Sequence, residues 1–231
     1  MSDVEKFYDE FADQQEDAGI NRRHLSIDQW LTNFGLQDSH RVLEVGCGVG
    51  TQTELLAKRL ENGQITACDI SPESIKRAES RLKNFTNAHF IACDIVDYEI
   101  EGEFDFIILP DVLEHIPIDQ HPRLFQKLAA LLTSEGRIVI HIPDPYYLKW
   151  RYTQEKEADK MQVIDQSIFT DTLVGSVYPA GLYIEHLQSY SLHVENHDYQ
   201  IILLRKKRQK PYPPLNRKST LGNRIKGKLG L

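Results

Sequence analysis

The apolar residues of the first forty positions fall at the spacing of a helix surface. Val4, Phe7, Tyr8 and Phe11 form one such series, and Leu25, Ile27, Trp30, Leu31 and Phe34 form a second. Gly19 separates the two, and Gly35 ends the second. From position 41 onward, short apolar runs alternate with helical stretches. Residues 41–45 read as a buried strand ending at Gly46, 64–68 as a strand ending at Asp69, and 89–93 as a strand ending at Asp94. A fourth strand spans 104–109, and a fifth, 137–142, follows Gly136. Helices are expected over 51–60, stopped by Asn62 and Gly63, and over 119–132. Another runs from Pro72 to about Leu82, with Ser71 as its cap and Ser74 in its first turn. After Pro143, Asp144 and Pro145 the pattern is irregular to about residue 164. It turns helical over 165–180 and ends in two strands, 182–190 and 199–204, that can pair antiparallel. No internal repeat is visible.

This order implies an α/β fold: a mostly parallel sheet with helices on both faces. Ligands in such sheets bind outside the carboxyl ends of the strands, where the glycine and aspartate positions above fall. The chain has 231 residues, enough for one sizeable core with appendages. Hydrophobic residues make up 41% and charged residues 26%, an ordinary soluble mix, and no apolar run reaches the roughly 20 residues that span a bilayer. The acidic start, Met1 to Glu5, lacks the basic and apolar regions of a signal peptide, so a cytoplasmic location is expected.

Charge changes this picture at one end. The net charge is −7, yet no acidic residue follows Asp198, and ten cations lie between Arg205 and Lys228. The tail therefore carries +10 and the rest −17. An acidic body argues against a broad nucleic-acid surface. Residues 206–231 read as a flexible basic tail with three readings, in order: a solubilising tail, a contact with an anionic membrane surface using Leu221, Ile225, Leu229 and Leu231, or a nucleic-acid contact. The membrane reading would make the protein membrane-peripheral. The three cysteines, Cys47, Cys68 and Cys93, show no CxxC spacing, which disfavours a zinc site or a disulfide framework. They read as small buried residues, although each falls near a strand end and hence near the expected site.

Residues 44–50 (EVGCGVG) join the first strand to the first helix of the alternating part. Glycines there let the backbone turn sharply and let a ligand approach, and the following helix presents free N–H groups. A dinucleotide fingerprint would need a third glycine where Thr51 stands. Glu44 would repel a pyrophosphate but suits a cationic ligand. Asp69 can accept ribose hydroxyl hydrogen bonds in either case.

Residues 42–50 (VLEVGCGVG) resemble the first signature motif of class I S-adenosylmethionine-dependent methyltransferases. Asp69 matches the family's acidic residue after the second strand, and Asp94, between Cys93 and Ile95, matches the one that contacts the adenine amino group. Residues 104–116 (FDFIILPDVLEHI) resemble its fourth-strand motif, in the form typical of small-molecule enzymes of the ubiquinone-biosynthesis and amino-sugar type. The entry to the fifth strand departs from the usual Leu-Lys-Pro-Gly-Gly, with Thr133, Ser134 and Glu135 before a single glycine. The resemblance covers about residues 38–142. It implies a Rossmann-like seven-stranded sheet with one antiparallel strand. It also implies an N-terminal helical lid (1–37) over the cofactor, a methyltransferase domain (38–205) and the tail (206–231). It further implies that S-adenosylmethionine is held by Glu44, Gly46, Cys47, Gly48, Gly50, Thr51, Asp69, Ile70, Asp94, Ile95, Pro110 and Asp111.

Methyl transfer from a sulfonium asks the protein mainly to align the acceptor and take its proton. Asp111 and His115, one helical turn apart, are the candidate catalytic pair. The competing reading has Asp111 holding the cofactor while His115 packs. Asp111 and Asp144 are poor metal candidates without an Asp-Asn pair, and no metal is expected. Tyr146, Tyr147, Trp150 and Tyr152 either line an aromatic acceptor pocket or pack their loop. Asn21, Arg22, Arg23 and His24 stand at a lid hinge, where they either touch acceptor or cofactor or simply cap helices. The acceptor is expected to be a small molecule, a sugar or a lipid precursor, methylated on O or N. The alternatives are a non-catalytic binding subunit of the same fold and a nicotinamide oxidoreductase.

Overall fold

A computed structural model describes residues 7, 8, 12, 19–154 and 164–207. Val4, Phe11 and the tail beyond Lys207 lie outside these residues. The described elements are α1 (Arg22–Asn33), β1 (Arg41–Val45), α2 (Thr51–Arg59), β2 (Gln64–Asp69), α3 (Pro72–Arg81), β3 (Ala88–Ala92) and β4 (Phe104–Pro110). Then come α4 (His121–Leu131), β5 (Leu132–Pro143), α5 (Pro145–Arg151), α6 (Thr170–Val177), β6 (Leu182–Tyr190) and β7 (Tyr199–Lys206). The seven strands form one sheet in the order β3-β2-β1-β4-β5-β7-β6, and only β7 runs antiparallel to its neighbours. The chain leaves β1 toward β2 and β3, then crosses back to β4 on β1's other side. The order therefore reverses between β1 and β4, which opens a crevice at their carboxyl ends.

Alternation along β1 divides the core. Leu43 and Val45 face a layer containing Leu124, Phe125 and Leu128 of α4 and Leu173 and Val177 of α6. Val42 faces Ile27 and Leu31 of α1, Leu56 of α2 and Ile75 of α3. Burying each such aliphatic side chain stabilises the fold by about 1.5–3 kcal/mol. α1 is thus part of the domain's own core, with Ile27 and Leu31 almost fully buried. Among the described residues no helix is long and apolar enough to cross a membrane.

Four elements differ from the pattern-based reading. β5 begins at Leu132, not after Gly136. Leu132 pairs with Phe104 and Arg137 with Phe106, so residues 133–136 bulge out of register as an irregular part of the strand. The segment after Pro143 is not irregular throughout, because α5 forms there. Asp144 is its N-cap, accepting hydrogen bonds from the N–H groups of Tyr146 and Tyr147, and Pro145 takes the first helical position. The helix expected over 165–180 is confined to α6, and that over 119–132 begins as a short 3-10 turn (Ile118–Gln120) before α4.

Candidate functional site

A cavity of about 520 Å³ opens at the carboxyl ends of β1 to β4. Its floor is the loop over Gly46, Cys47 and Gly48. Gly46 has a φ of 72°, and a Cβ on it would stand 2.2 Å from a methyl of Val112, so no other residue fits. Gly48 donates its N–H to Asp69 Oδ2 at 2.8 Å, and Ser71 donates its N–H to Asp69 Oδ1 at 2.9 Å. These bonds lock the Asp69 carboxylate at the rim. Asp94 is fixed likewise, its Oδ1 accepting the Val96 N–H.

Glu44 is fully buried and lines the cavity. Its Oε2 accepts from Thr53 Oγ1 at 2.7 Å, while Oε1 has no hydrogen-bond partner among the described residues. Burial pushes its carboxyl up to about 8, against the lowering effect of the Thr53 bond. Gln52, beside it in the cavity wall, is also buried with both amide atoms unpartnered among the described residues, and the sequence offered no signal for it.

Asp111 and His115 do not pair. Asp111 sits at a φ of 55°. Its Oδ2 meets Arg23 Nη1 at 2.6 Å, and its Oδ1 accepts from His141 Nδ1 at 2.6 Å. Burial alone would raise the Asp111 carboxyl, but the Arg23 and His141 charges outweigh it and hold the group at about 2. A carboxylate held that low is a poor base. The network continues from His141 Nε2 to the Tyr190 hydroxyl at 2.8 Å and on to Ser26 Oγ at 3.0 Å, tying β4 and β5 to β6 and α1. His115 lines the cavity with Nδ1 2.6 Å from the Ile164 carbonyl, so Nδ1 carries the proton and Nε2 keeps its lone pair. Burial lowers the His115 imidazole below its ordinary value, opposed by the Ile164 carbonyl and Asp165.

The N-terminal segment supplies a wall, in which Asn21, Arg23 and His24 of the expected hinge stand, whereas Arg22 does not. Tyr8, Gly19, Asn21, Arg23 and His24 all line the cavity. His24 Nδ1 accepts the Asn21 N–H, so Nε2 donates to Thr51 Oγ1 at 2.9 Å, joining α1 to the first turn of α2. Burial holds His24 at about 4, and it is neutral at neutral pH.

Of the residues expected to hold the cofactor, Glu44, Gly46, Cys47, Gly48, Thr51, Asp69, Ile70, Asp94, Ile95, Pro110 and Asp111 line the cavity. Gly50 does not. It caps α2 in a left-handed conformation against α3, where a Cβ would come within 2.8 Å of Leu82. The aromatic acceptor pocket does not form either. Tyr146, Trp150 and Tyr152 are exposed and Tyr147 stacks on Trp150, so the run decorates α5 outside the cavity. Asp144 is spent on its cap and on Ser189 and Gln200, and among the described residues no cluster of three metal-type ligands exists.

Comparison with known proteins agrees with this geometry. Residues 42–136 match a family described as a methyltransferase domain. The chain is 32% identical over 133 residues to malonyl-[acyl-carrier protein] O-methyltransferase 1 of Ilyobacter polytropus, covering 58% of this chain and 46% of that protein. It is 33% identical over 114 residues to a trans-aconitate 2-methyltransferase of Escherichia coli, covering 49% and 43%. The match thus spans less than half the length of these relatives. Among solved structures, an S-adenosylmethionine-dependent methyltransferase from Clostridium acetobutylicum superimposes with a TM-score of 0.67 at 16% identity, covering 86% of this chain and 97% of that one. The N-methyltransferase NodS of Bradyrhizobium japonicum with bound S-adenosyl-L-homocysteine gives 0.62 at 20% identity, covering 80% and 86%. These structures share the fold.

Proposed function

We propose, for a chain that belongs to the class I S-adenosylmethionine-dependent methyltransferases, that it methylates an oxygen of a small acidic acceptor in the cavity above β1 and β4. The observation that carries this reading is Glu44, whose Oε1 is buried at the cavity without a partner among the described residues. A buried acceptor atom left empty costs about 1–3 kcal/mol, and an ammonium group of the ligand removes that cost. The fixed carboxylates Asp69 and Asp94, at the ends of β2 and β3, suit ribose hydroxyls and an adenine amino group at the far side of the same cavity. A nicotinamide dinucleotide fits worse, because its pyrophosphate brings no donor to Glu44 Oε1.

Bound S-adenosylmethionine supplies a methyl group already activated on a sulfonium. The chain's own residues then have to orient the acceptor and keep water out. Asp111, held ionised by Arg23 and His141, fixes the cavity wall and takes no proton. His115, with Nε2 unprotonated, is the group able to accept one from a hydroxyl acceptor. A carboxylate acceptor needs no base, and Arg23, whose Nε is buried without a partner among the described residues in the same wall, suits such a group. The names of the relatives, with malonyl and trans-aconitate acceptors, support an acidic substrate. Tyr8, in the cavity wall, would cover the methyl group, while α1 stays packed in the core. Transfer of labelled methyl to a panel of di- and tricarboxylic acids, hydroxylated sugars and amines tests this. Labelling of acids is expected. Labelling of amines or sugars alone would overturn the acidic-acceptor reading, and transfer lost in His115→Ala only with hydroxyl acceptors would assign the base.

A further inference from the structure

One part of the cavity wall is built from two irregular stretches of chain. His115, Ile116 and Pro117 come from the first, which links the 3-10 turns Leu113–His115 and Ile118–Gln120. Ile164 comes from the second, which runs over residues 164–169 to the start of α6. Backbone groups outside helices and strands must find other partners. Here one side chain supplies them. Gln166 Nε2 donates to the Glu114 carbonyl at 3.3 Å and to the Ile116 carbonyl at 2.9 Å, while its Oε1 accepts the Ile118 N–H at 3.3 Å. Its own N–H donates to the Glu114 carbonyl at 3.0 Å. A primary amide carries two N–H groups and an oxygen acceptor, so it can act as an extra peptide unit between the two stretches. Two residues before Gln166, the Ile164 carbonyl accepts from His115 Nδ1 at 2.6 Å. Gln166 does not itself line the cavity.

We infer that Gln166 is a positioning residue for His115: its amide pins residues 164–166 to residues 114–118, which keeps the Ile164 carbonyl where it binds the Nδ1 proton and leaves Nε2 unprotonated. A neutral imidazole without such a bond is a mixture of two forms, and only the Nδ1–H form offers Nε2 as a base. The neighbouring carboxyls do not replace the carbonyl in this role. Asp165 Oδ1 makes the longer contact with Nδ1, at 3.5 Å, and belongs to the same pinned segment. Glu114 Oε1 stands 3.8 Å from Nε2, beyond hydrogen-bonding distance. Gln166 thus acts on the ring only through the backbone that it clasps. The base role of His115 rests on the functional reading given above, whereas the setting of its ring does not.

The test uses the full ligand-free chain with isotope-labelled histidine, in which two-bond proton–nitrogen correlation spectra separate Nδ1–H from Nε2–H rings. The His115 signal is identified by its loss in His115→Gln. The parent is expected to show His115 in the Nδ1–H form and His24 in the Nε2–H form, because His24 accepts the Asn21 N–H and donates to Thr51. Gln166→Glu removes both N–H groups, and Gln166→Met keeps the volume without polar atoms. In each, the ratio of Nδ1–H to Nε2–H rings at His115 is expected to fall about tenfold, roughly the worth of one hydrogen bond. His24 should keep its form, and affinity for S-adenosylhomocysteine should stay within about twofold of the parent's. A parent His115 in the Nε2–H form, or a variant that keeps the His24 form and the parent's His115 ratio, would overturn the proposal. Loss of the His24 form in both variants would also overturn it, by making Gln166 a support of the whole fold. A parent that fails to bind S-adenosylhomocysteine would refute the cofactor reading, while the His115 ratio still decides the role of Gln166.

Discussion

At the scale of single residues, Glu44 and Asp111 show how one fold gives two carboxylates opposite characters. Both are buried, but Glu44 faces a hydroxyl and no cation, whereas Asp111 is gripped by Arg23 and His141. Glu44 is therefore held up at about 8 and Asp111 down at about 2. A cationic ligand meeting Glu44 must drive its proton off. Calorimetry of S-adenosylhomocysteine binding near pH 7, run in buffers of different ionisation enthalpy, should show a proton released on binding, and Glu44→Gln should abolish that release. No buffer dependence would contradict the assigned partner. Asp69→Ala should weaken the same binding by about 1.5–3 kcal/mol, the worth of a charge-assisted hydrogen-bond pair, and an unchanged affinity would remove Asp69 from the ribose subsite. Glu44 and Asp69 were legible in the sequence because each stands at a fixed offset from a strand end. Gln52 and the Arg23–Asp111–His141 contacts were not, because they join residues far apart in the chain and carry no local pattern.

Among the elements, the strands and helices over 41–92 appear within one residue of their expected bounds, since apolar runs, a serine cap and a proline at a first helical turn are local signals. The misreadings lie where tertiary contacts decide. β5 starts early because Leu132 finds Phe104 as a partner across a bulge. α5 is hard to read although Asp144 and Pro145 spell a cap, because seven residues with only Pro145 and Leu148 buried show too little period. Asp144 also accepts from Ser189 and Gln200, tying α5 to β6 and β7. Asp144→Ala should therefore cost more than an ordinary cap, about 2–3 kcal/mol. Chemical denaturation would register this as a lower midpoint at unchanged slope, and a shift within error would mean that the cap is dispensable.

For the whole molecule, the Arg23–Asp111–His141–Tyr190–Ser26 chain binds the N-terminal helix to three strands around the cavity mouth. Because the folded Asp111 carboxyl lies below its ordinary value of 3.8, its contribution to stability is complete above that value and fades as pH falls through about 2. Asp111→Asn should therefore lose roughly 2 kcal/mol at neutral pH, a figure kept low because Arg23 is one-third exposed. The gap to the parent should close toward pH 2 in thermal melts across pH, and a constant gap would contradict the ion-pair account. Glu44 acts in the other sense: its raised carboxyl favours the ligand-free fold below about 4.5, and that benefit is lost as pH rises through about 8.

The most direct test of the cavity's assignment is calorimetric titration of the folded, ligand-free chain with S-adenosylmethionine, S-adenosylhomocysteine and NADH in parallel. The account predicts one site per chain for both adenosyl ligands and none for NADH. Saturable NADH binding, or silence toward both adenosyl ligands by folded protein, would contradict it.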